Sequence, residues 1–197
     1  KAEALRAFGL EPTKKTILIV GGSLGARTLN ESVMAHLDEL RNSGVQVIWQ
    51  TGKNYFEDIK SQLAEKSTMP TLKPTDFIAD MGAAYRAADL VISRAGASSI
   101  SEFCLIGKPV ILVPSPNVAE DHQTKNAMAL VNRQAARFVK DAEATEKLIP
   151  MALQTVNNDQ TLAQLSHNIK QMALRNSAET IADEVIALAQ AHAAKKR

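Results

Sequence analysis

Short apolar runs alternate with longer amphipathic stretches along this chain from residue 16 onward. Six of these runs predict buried strands, at 16–20, 45–50, 71–73, 90–93, 109–114 and 137–139. The stretches between them predict helices, at 21–42, 55–66, 81–88 and 123–134 and from residue 98 or 99 onward, followed by a run of helices to the end. Such regular alternation predicts an α/β protein with a parallel sheet covered by helices on both faces.

The turn after the predicted strand 90–93 is the first candidate ligand site. Ligands of parallel sheets bind beyond the carboxyl ends of the strands, where this chain has its glycine turns. Here Arg94-Ala-Gly-Ala97 leads into a helix that should begin near Ser98 or Ser99. Free backbone N–H groups and the positive end of the helix dipole would meet there, so this turn could hold a pyrophosphate without a metal.

Glu102 lies three residues after Ser99 and has two possible roles. The spacing is that of a capping box, in which the glutamate reaches back to a free N–H at the helix start. Alternatively, the carboxylate accepts hydrogen bonds from the ribose hydroxyls of a nucleotide whose phosphates lie on the same turn. The spacing alone favours the cap, whereas the surrounding pattern favours ribose binding.

The loop Gly21-Gly-Ser-Leu-Gly-Ala26 does not match the standard phosphate loops. Val20 stands where the dinucleotide fingerprint requires its first glycine, and Ala26-Arg27 stands where the P-loop requires Gly-Lys. What remains is either a tight strand-to-helix turn or a turn that admits a ligand. Ser23 would then be the helix N-cap or a donor to the ligand.

The loop from residue 114 leads into a helix that carries Gln123 and Asn126. These side chains are three residues apart and share a helix face, so their amides are suited to reading sugar hydroxyls. Asp121 and His122 suggest an acid/base pair, but adjacent residues at a helix start do not normally face each other. We therefore expect His122 to lie at the rim.

Composition excludes several classes of protein. With 197 residues, 45% hydrophobic and 22% charged, the chain is an ordinary globular protein, and its net charge of +2 gives no case for nucleic-acid binding. Cys104 is the single cysteine, so an internal disulfide is impossible, a zinc site would lack its usual ligands, and a buried apolar role is expected. We see no signal peptide and no apolar run of about 20 residues. These features predict a cytoplasmic protein.

The first 15 residues predict the end of a helix followed by a linker. Because the chain starts in this way, we expect an upstream portion of the protein to precede it.

Together these motifs resemble the C-terminal half of the MurG family, the peptidoglycan N-acetylglucosaminyltransferases that convert lipid I to lipid II. The motifs that carry the resemblance are Gly21-Gly-Ser-Leu-Gly-Ala-Arg27 with Asn30, Phe77-Ile78 before Met81, Ala88-Asp89, Arg94-Ala-Gly-Ala97, Ser101-Glu102, Gly107-Lys-Pro109, and 121–126. Their shared order and spacing from about residue 16 to residue 138 make the resemblance specific.

The resemblance implies one half of a B-type glycosyltransferase fold, in which two Rossmann-like domains face each other and the C-terminal one holds the sugar donor. Residues 16–197 would form the UDP-sugar-binding domain, and residues 1–15 would be a linker and the remnant of a helix from the missing N-terminal domain.

The resemblance also assigns roles to individual residues. The Ile78 backbone would pair with the uracil edge, with Phe77 beside it, and Glu102 would bind the ribose hydroxyls. Ser23 would line the cleft near the phosphates, and Arg94 would shape the turn. The remaining predicted contacts are those of the diphosphate, with Gly96, Ala97, Ser98 and Ser99, and those of the N-acetylglucosamine hydroxyls, with Gln123 and Asn126.

The implied reaction transfers N-acetylglucosamine from UDP to the C4 hydroxyl of the undecaprenyl-linked muramoyl-pentapeptide, with inversion. The family's acceptor loop, general base and membrane-facing patch belong to the N-terminal domain. We therefore expect this chain to bind donor without turnover, to contain no catalytic residue and to need no metal or cofactor. The complete protein would lie on the inner face of the cell membrane.

Two departures and two alternatives qualify the resemblance. Leu24 and His122 stand where many members have glutamine. A different UDP-sugar enzyme of this architecture, such as a glycolipid synthase or a 2-epimerase, would share Gly96 and Glu102 but differ around Gln123. The other alternative is a noncatalytic nucleotide-binding or partner-docking module.

In this fold the last helix usually crosses to the other domain, so the helix at 181–191 is expected to lack a packing partner here.

Overall fold

A parallel sheet forms the centre of the molecule, which is a computed structural model describing residues 1–66 and 69–195. The strands of the described residues are β1 Thr16–Val20, β2 Gln46–Gln50, β3 Leu72–Thr75, β4 Leu90–Ser93, β5 Val110–Leu112 and β6 Arg137–Phe138. Their order in the sheet is β3-β2-β1-β4-β5-β6, and each neighbouring pair is parallel. The chain reverses its direction across the sheet between β1 and β4, which is where such sheets form a ligand crevice.

Helices connect the strands and continue beyond the last one. Their bounds are α1 Ala2–Ala7, α2 Arg27–Ala35, α3 Leu37–Asn42, α4 Phe56–Ala64, α5 Met81–Ala87, α6 Ala97–Ile106, α7 His122–Val131, α8 Asp141–Val156, α9 Asp159–Lys170 and α10 Ser177–Lys195. A 3₁₀ turn, Ala119–Asp121, precedes α7. None of the described helices is both long enough and apolar enough to span a bilayer.

Two apolar clusters cover the two faces of the sheet and confirm the predicted layers. Along β1, Ile17 and Ile19 belong to one cluster, whereas Leu18 belongs to the other. In β2, the fully buried Trp49 and Ile48 are divided in the same way. Successive side chains of a strand point to opposite faces, so continuous apolar runs are what a sheet covered on both faces requires.

The first 15 residues pack onto this core. Ala4, Leu5 and Leu10 are buried in the same cluster as Leu18, and α1 packs against α5. The helix end that the sequence predicts before the linker thus contributes three apolar side chains to the domain.

The prediction of one helix from the turn at 21–23 to about residue 42 is wrong in two respects. The helix begins at Arg27, because Gly22 and Gly25 adopt left-handed conformations, each with φ of +85°, that extend the loop. It also breaks at His36, so that α2 and α3 are separate. Ala26 is the N-cap, and the interpretation of Ser23 as N-cap is therefore wrong.

Other boundaries differ from the prediction by one to three residues. The strand predicted at 109–114 covers Val110–Leu112, because the prolines at both ends lack the N–H that a ladder needs. Helix α7 ends at Val131, and Gln134 follows with a left-handed φ of +54°.

The last helix, α10, exposes an apolar stripe. Ile181, Val185 and Leu188 are 64%, 60% and 69% exposed. This agrees with the expectation of a helix without a packing partner in this chain.

Candidate functional site

A cleft of about 680 Å³ opens at the carboxyl edge of the sheet. It lies beside the neighbouring strands β1 and β4, where the strand order reverses. Loops after β1, β4 and β5 line it together with the starts of α2 and α8. The lining residues are Gly21, Gly25, Ala26, Arg27, Thr28, Tyr55, Arg94, Ser115, Pro116, Asn117, Gln123 and Asp141. Of the residues with a predicted role in the site, Arg94 and Gln123 line this cleft.

Close backbone packing explains two glycines of the loops beside the cleft. A Cβ at Gly25 would lie 2.1 Å from the Thr51 carbonyl oxygen, and one at Gly52 would lie 2.1 Å from the Gly25 nitrogen. The buried Asn30 holds this contact, since its Nδ2 donates to the Thr51 carbonyl at 2.9 Å and its Oδ1 accepts from Trp49 Nε1 at 2.9 Å. Glycine is required here by the fold itself.

Gly96 is different, because the protein gives no steric reason for a glycine there. A Cβ at this position would meet nothing closer than Ser99 Oγ at 3.9 Å, and the backbone has an ordinary extended conformation. The space in front of the turn after β4 is therefore open. It can admit a ligand close to the backbone.

The start of α6 presents free donors to that space. Gly96 is the N-cap and no side chain caps the helix. The backbone N–H groups of Ala97, Ser98 and Ser99 make no hydrogen bond to any residue that the structure describes. Three donors and the positive end of the helix dipole thus converge at the carboxyl end of β4, which is suited to an anion.

Glu102 does not cap this helix. Because α6 begins at Ala97, Glu102 lies in the second turn, too far along to bond the free N–H groups, and the capping-box interpretation is wrong. Its Oε2 instead accepts a hydrogen bond from the Tyr85 hydroxyl at 2.8 Å. The Tyr85 ring packs edge-on against Phe103, with 5.9 Å between ring centroids. Burial and then the bond to Glu102 raise the pKa of Tyr85 well above its usual value, which keeps the phenol protonated.

Gln123 and Asn126 converge on the turn after β4. Gln123 Oε1 accepts from the Ala95 N–H at 3.1 Å and from the Ser115 N–H at 2.9 Å. Asn126 Nδ2 donates to the Ala95 carbonyl at 3.1 Å. Gln123 Nε2 and Asn126 Oδ1 bond to no described residue, and neither is buried without a partner. Each side chain thus fixes the turn with one polar atom and leaves the other accessible.

Arg94 ties together four elements around the cleft. Its Nη1 donates to the carbonyls of Val113, at 3.0 Å, and Pro114, at 3.2 Å, and it forms an ion pair with Asp141. Asp141 also accepts from Thr28 Oγ1 at 3.0 Å. The ends of β4 and β5 and the starts of α2 and α8 are therefore joined through one guanidinium and one carboxylate.

The loop after β3 carries Phe77 and Ile78. Phe77 is 48% exposed, whereas Ile78 is buried and its N–H donates to Gln50 Oε1 at 3.1 Å. Gln50 Nε2 in turn donates to the Gly22 carbonyl at 3.0 Å. Of the Ile78 backbone groups predicted to pair with a uracil edge, the N–H thus already has a partner, while the carbonyl accepts no bond from the described residues.

Ser23 and His122 lie away from these contacts. Ser23 is exposed in the loop after β1, where its carbonyl accepts from the Lys53 N–H at 3.3 Å. His122 is exposed with Nδ1 at 2.9 Å from the Ala119 carbonyl, and Asp121 accepts from Thr124, so the adjacent pair does not face each other. The expectation for His122 is confirmed.

In the described part of the chain, no three His, Cys, Asp or Glu side chains cluster as a metal ion would require.

Comparison with known families adds to this geometry. Residues 16–181 match the family model described as the glycosyltransferase family 28 C-terminal domain. The chain belongs to glycosyltransferase family 28.

The chain is also similar to named proteins over nearly its whole length. The chain is 62% identical over 191 residues to the UDP-N-acetylglucosamine--N-acetylmuramyl-(pentapeptide) pyrophosphoryl-undecaprenol N-acetylglucosamine transferase of Bacteroides fragilis, covering 96% of this chain and 50% of that protein. It is 61% identical over 189 residues to the protein of the same name from Phocaeicola vulgatus, with the same coverage. It spans about half the length of these relatives.

A solved structure shows the same relationship. The crystal structure of Acinetobacter baumannii MurG superimposes with a TM-score of 0.76 and 32% identity, over 90% of this chain and 54% of that one. The resemblance stated from the sequence is thus confirmed, and so is the α/β fold as one half of a B-type family 28 glycosyltransferase. The roles of individual residues and the limits of the domain stay predictions.

Among the residues that the sequence analysis misses are Gln50, Tyr85 and Asp141, each of which bonds a residue with a predicted role in the candidate site. Gln50 ends an apolar strand, Tyr85 lies in a short alanine-rich helix, and Asp141 looks like an ordinary acidic residue at a helix start. Their partners lie 28, 17 and 47 residues away. No local spacing could have revealed them.

Proposed function

We propose that this chain is the donor-binding half of an inverting glycosyltransferase that moves N-acetylglucosamine from UDP to lipid I, making lipid II in peptidoglycan synthesis. The observation that carries the proposal is the uncapped, sterically open start of α6 at Gly96, with Glu102 in the second turn of the same helix. Membership of family 28 and the named relatives support it.

The start of α6 would hold the donor diphosphate. The N–H groups of Ala97, Ser98 and Ser99 are available to its oxygens, and the helix dipole has the matching sign. When the sugar departs, negative charge grows on the UDP leaving group. Fixed donors at that position stabilise the transition state more than the ground state, and this accelerates the reaction.

The other parts of the donor would meet side chains around the same turn. Glu102 would accept from the ribose hydroxyls, and the free Gln123 Nε2 and Asn126 Oδ1 would meet the hydroxyls of N-acetylglucosamine. The Ile78 N–H already donates to Gln50. The Ile78 carbonyl would therefore accept a hydrogen bond from N3–H of the uracil, with Phe77 beside the ring.

The acceptor side of the reaction would belong to the half of the relatives that this chain does not match. We place there the binding of the undecaprenyl-linked muramoyl-pentapeptide, the general base and the contact with the inner face of the cell membrane. On this proposal the chain alone binds donor without turning it over.

Calorimetric titration with UDP-N-acetylglucosamine, UDP-glucose and ADP-glucose tests the proposal. We expect binding to UDP-N-acetylglucosamine to be clearly the tightest of the three. Equal affinity for UDP-glucose would favour another UDP-sugar enzyme, and equal affinity for ADP-glucose would contradict a uridine site. If a chain whose circular dichroism shows it folded binds none of them, and adding the half of a relative that this chain does not match does not restore binding, the proposal is wrong.

A further inference from the structure

A tyrosine on a neighbouring helix holds the carboxylate of Glu102. We propose that Tyr85 is a positioning residue for ribose recognition, which fixes one oxygen of Glu102 so that the other faces the ribose hydroxyls. This inference rests on the proposed function, since it takes the ligand of Glu102 to be a ribose.

Glu102 needs such a partner because little else restrains it. It is exposed on α6, and the Tyr85 hydroxyl at 2.8 Å is its one hydrogen-bond partner among the described residues. A glutamate on a helix surface samples many rotamers, and ordering it on binding costs conformational entropy. A carboxylate that is already oriented avoids part of this cost, so it binds the same hydroxyls more tightly.

Tyr85 is itself held firmly. Its ring packs edge-on against the buried Phe103, and α5 is capped by Asp80, whose Oδ1 accepts from the Ala83 N–H at 2.8 Å. The ring has two side-chain torsions, and packing against Phe103 restrains them. The hydroxyl is therefore presented to Glu102 from a rigid support.

The hydrogen-bond count leaves room for a ribose. A phenol has one proton to donate, and Tyr85 gives it to Oε2 of Glu102. An ionised carboxylate has about four acceptor positions, so Oε1 keeps both of its own. Two vicinal hydroxyls of a ribose can donate to these free positions while the bond to Tyr85 persists.

A purely structural role would be to tie α5 to α6. That role predicts a change in stability that is independent of the ligand. Positioning predicts instead a loss of UDP affinity that depends on the ribose hydroxyls and on Glu102, and this difference can be measured.

The test compares the affinities of Tyr85→Phe and of the unmodified chain for two ligands, UDP and 2′,3′-dideoxy-UDP. The affinity for the weaker ligand is measured by its competition with the tighter one. Phenylalanine keeps the ring against Phe103 and removes the hydroxyl, so a thermal melt should show a folded protein. We expect UDP to bind about three- to tenfold more weakly, as for loss of one hydrogen bond, and the dideoxy ligand to bind unchanged. In a Glu102→Ala background, Tyr85→Phe should have no further effect on UDP.

Three results would overturn the inference while leaving the proposed function intact. The first is UDP binding that Tyr85→Phe does not weaken, and the second is an equal loss of affinity for both ligands. The third is a Tyr85→Phe effect on UDP binding that is as large in the Glu102→Ala background as in the unmodified chain. If the unmodified, folded chain binds UDP-sugars neither alone nor with the half of a relative that it does not match, the proposed function fails, and the inference fails with it.

Discussion

The side chain of Gln50 bonds the backbone N–H of Ile78 at 3.1 Å and so links the loop after β3 to the loop after β1. Its amide meets both loops at once, since Nε2 donates to the Gly22 carbonyl while Oε1 accepts from Ile78. Gln50 is buried, with 3% of its surface exposed. The relative placement of two predicted ligand loops therefore depends on one buried amide.

We predict that Gln50→Leu destabilises the protein and weakens UDP binding. Leucine would leave the Ile78 N–H and the Gly22 carbonyl without their partner, at a cost of about 1–3 kcal/mol for a buried unsatisfied group. Urea denaturation measures this effect. The matched control is Gln62→Leu, because the exposed Gln62 bonds Asp58 on the surface of α4 and its loss should change stability by less than about 0.5 kcal/mol. Equal effects of the two substitutions would contradict the bridging role.

We predict that Glu102→Ala weakens UDP binding by about 1.5–3 kcal/mol, the value of a hydrogen bond to a charged group. Stability should change little, because Glu102 is exposed and does not cap α6. Calorimetry and a thermal melt separate the two effects. Glu184→Ala, on the exposed helix α10, is the control with the same change of charge. Unchanged UDP affinity in Glu102→Ala would remove the carboxylate from the proposed site.

We predict that Arg94→Lys destabilises the protein by about 1–3 kcal/mol. The guanidinium contacts two carbonyls and Asp141 together, which a lysine ammonium does not reproduce with its different shape. The pair is about one-fifth exposed, so the cost should fall below that of breaking a fully buried pair. A double-mutant cycle with Asp141→Asn measures the coupling. A coupling energy of zero would show that the contact adds nothing to stability.

We predict that Gly25→Ala is at least twice as destabilising as Gly22→Ala. Both glycines have φ of +85°, a conformation that costs an L-residue about 1–2 kcal/mol. A Cβ at Gly22 meets nothing within 4 Å, whereas one at Gly25 lies 2.1 Å from the Thr51 carbonyl oxygen. The pair of variants therefore separates backbone conformation from steric contact. Equal unfolding free energies would argue against the close approach of the two loops.

We predict that the stability of the protein falls in alkaline solution through Tyr85. Its pKa is raised by burial and by Glu102, so the folded state keeps a proton that the unfolded state loses above about pH 10. Stability from this group is thus fully present below that pH and declines as the pH rises further. Tyr85→Phe should show a shallower decline than Tyr55→Phe in denaturation at increasing pH. Identical slopes for the two variants would contradict the assignment.

The sequence by itself determined the layered α/β architecture, the family and most of the loops at the carboxyl edge of the sheet. Apolar runs such as Thr16–Val20 can be read locally, because a strand buried on both faces must be apolar throughout. The turn at Gly96 could be predicted equally well, since a glycine between a strand and a helix indicates the connection between them.

Only the tertiary structure decided how those loops are held. The starts of α2 and α6 were misplaced because left-handed glycines and cap geometry depend on neighbouring backbone, such as Thr51 beside Gly25. Tyr85 with Glu102, Gln50 with Ile78 and Arg94 with Asp141 each join residues far apart in the chain. Folding alone brings such polar groups within bonding distance, and sequence patterns report periodicity and local spacing without recording which distant partner satisfies a given donor.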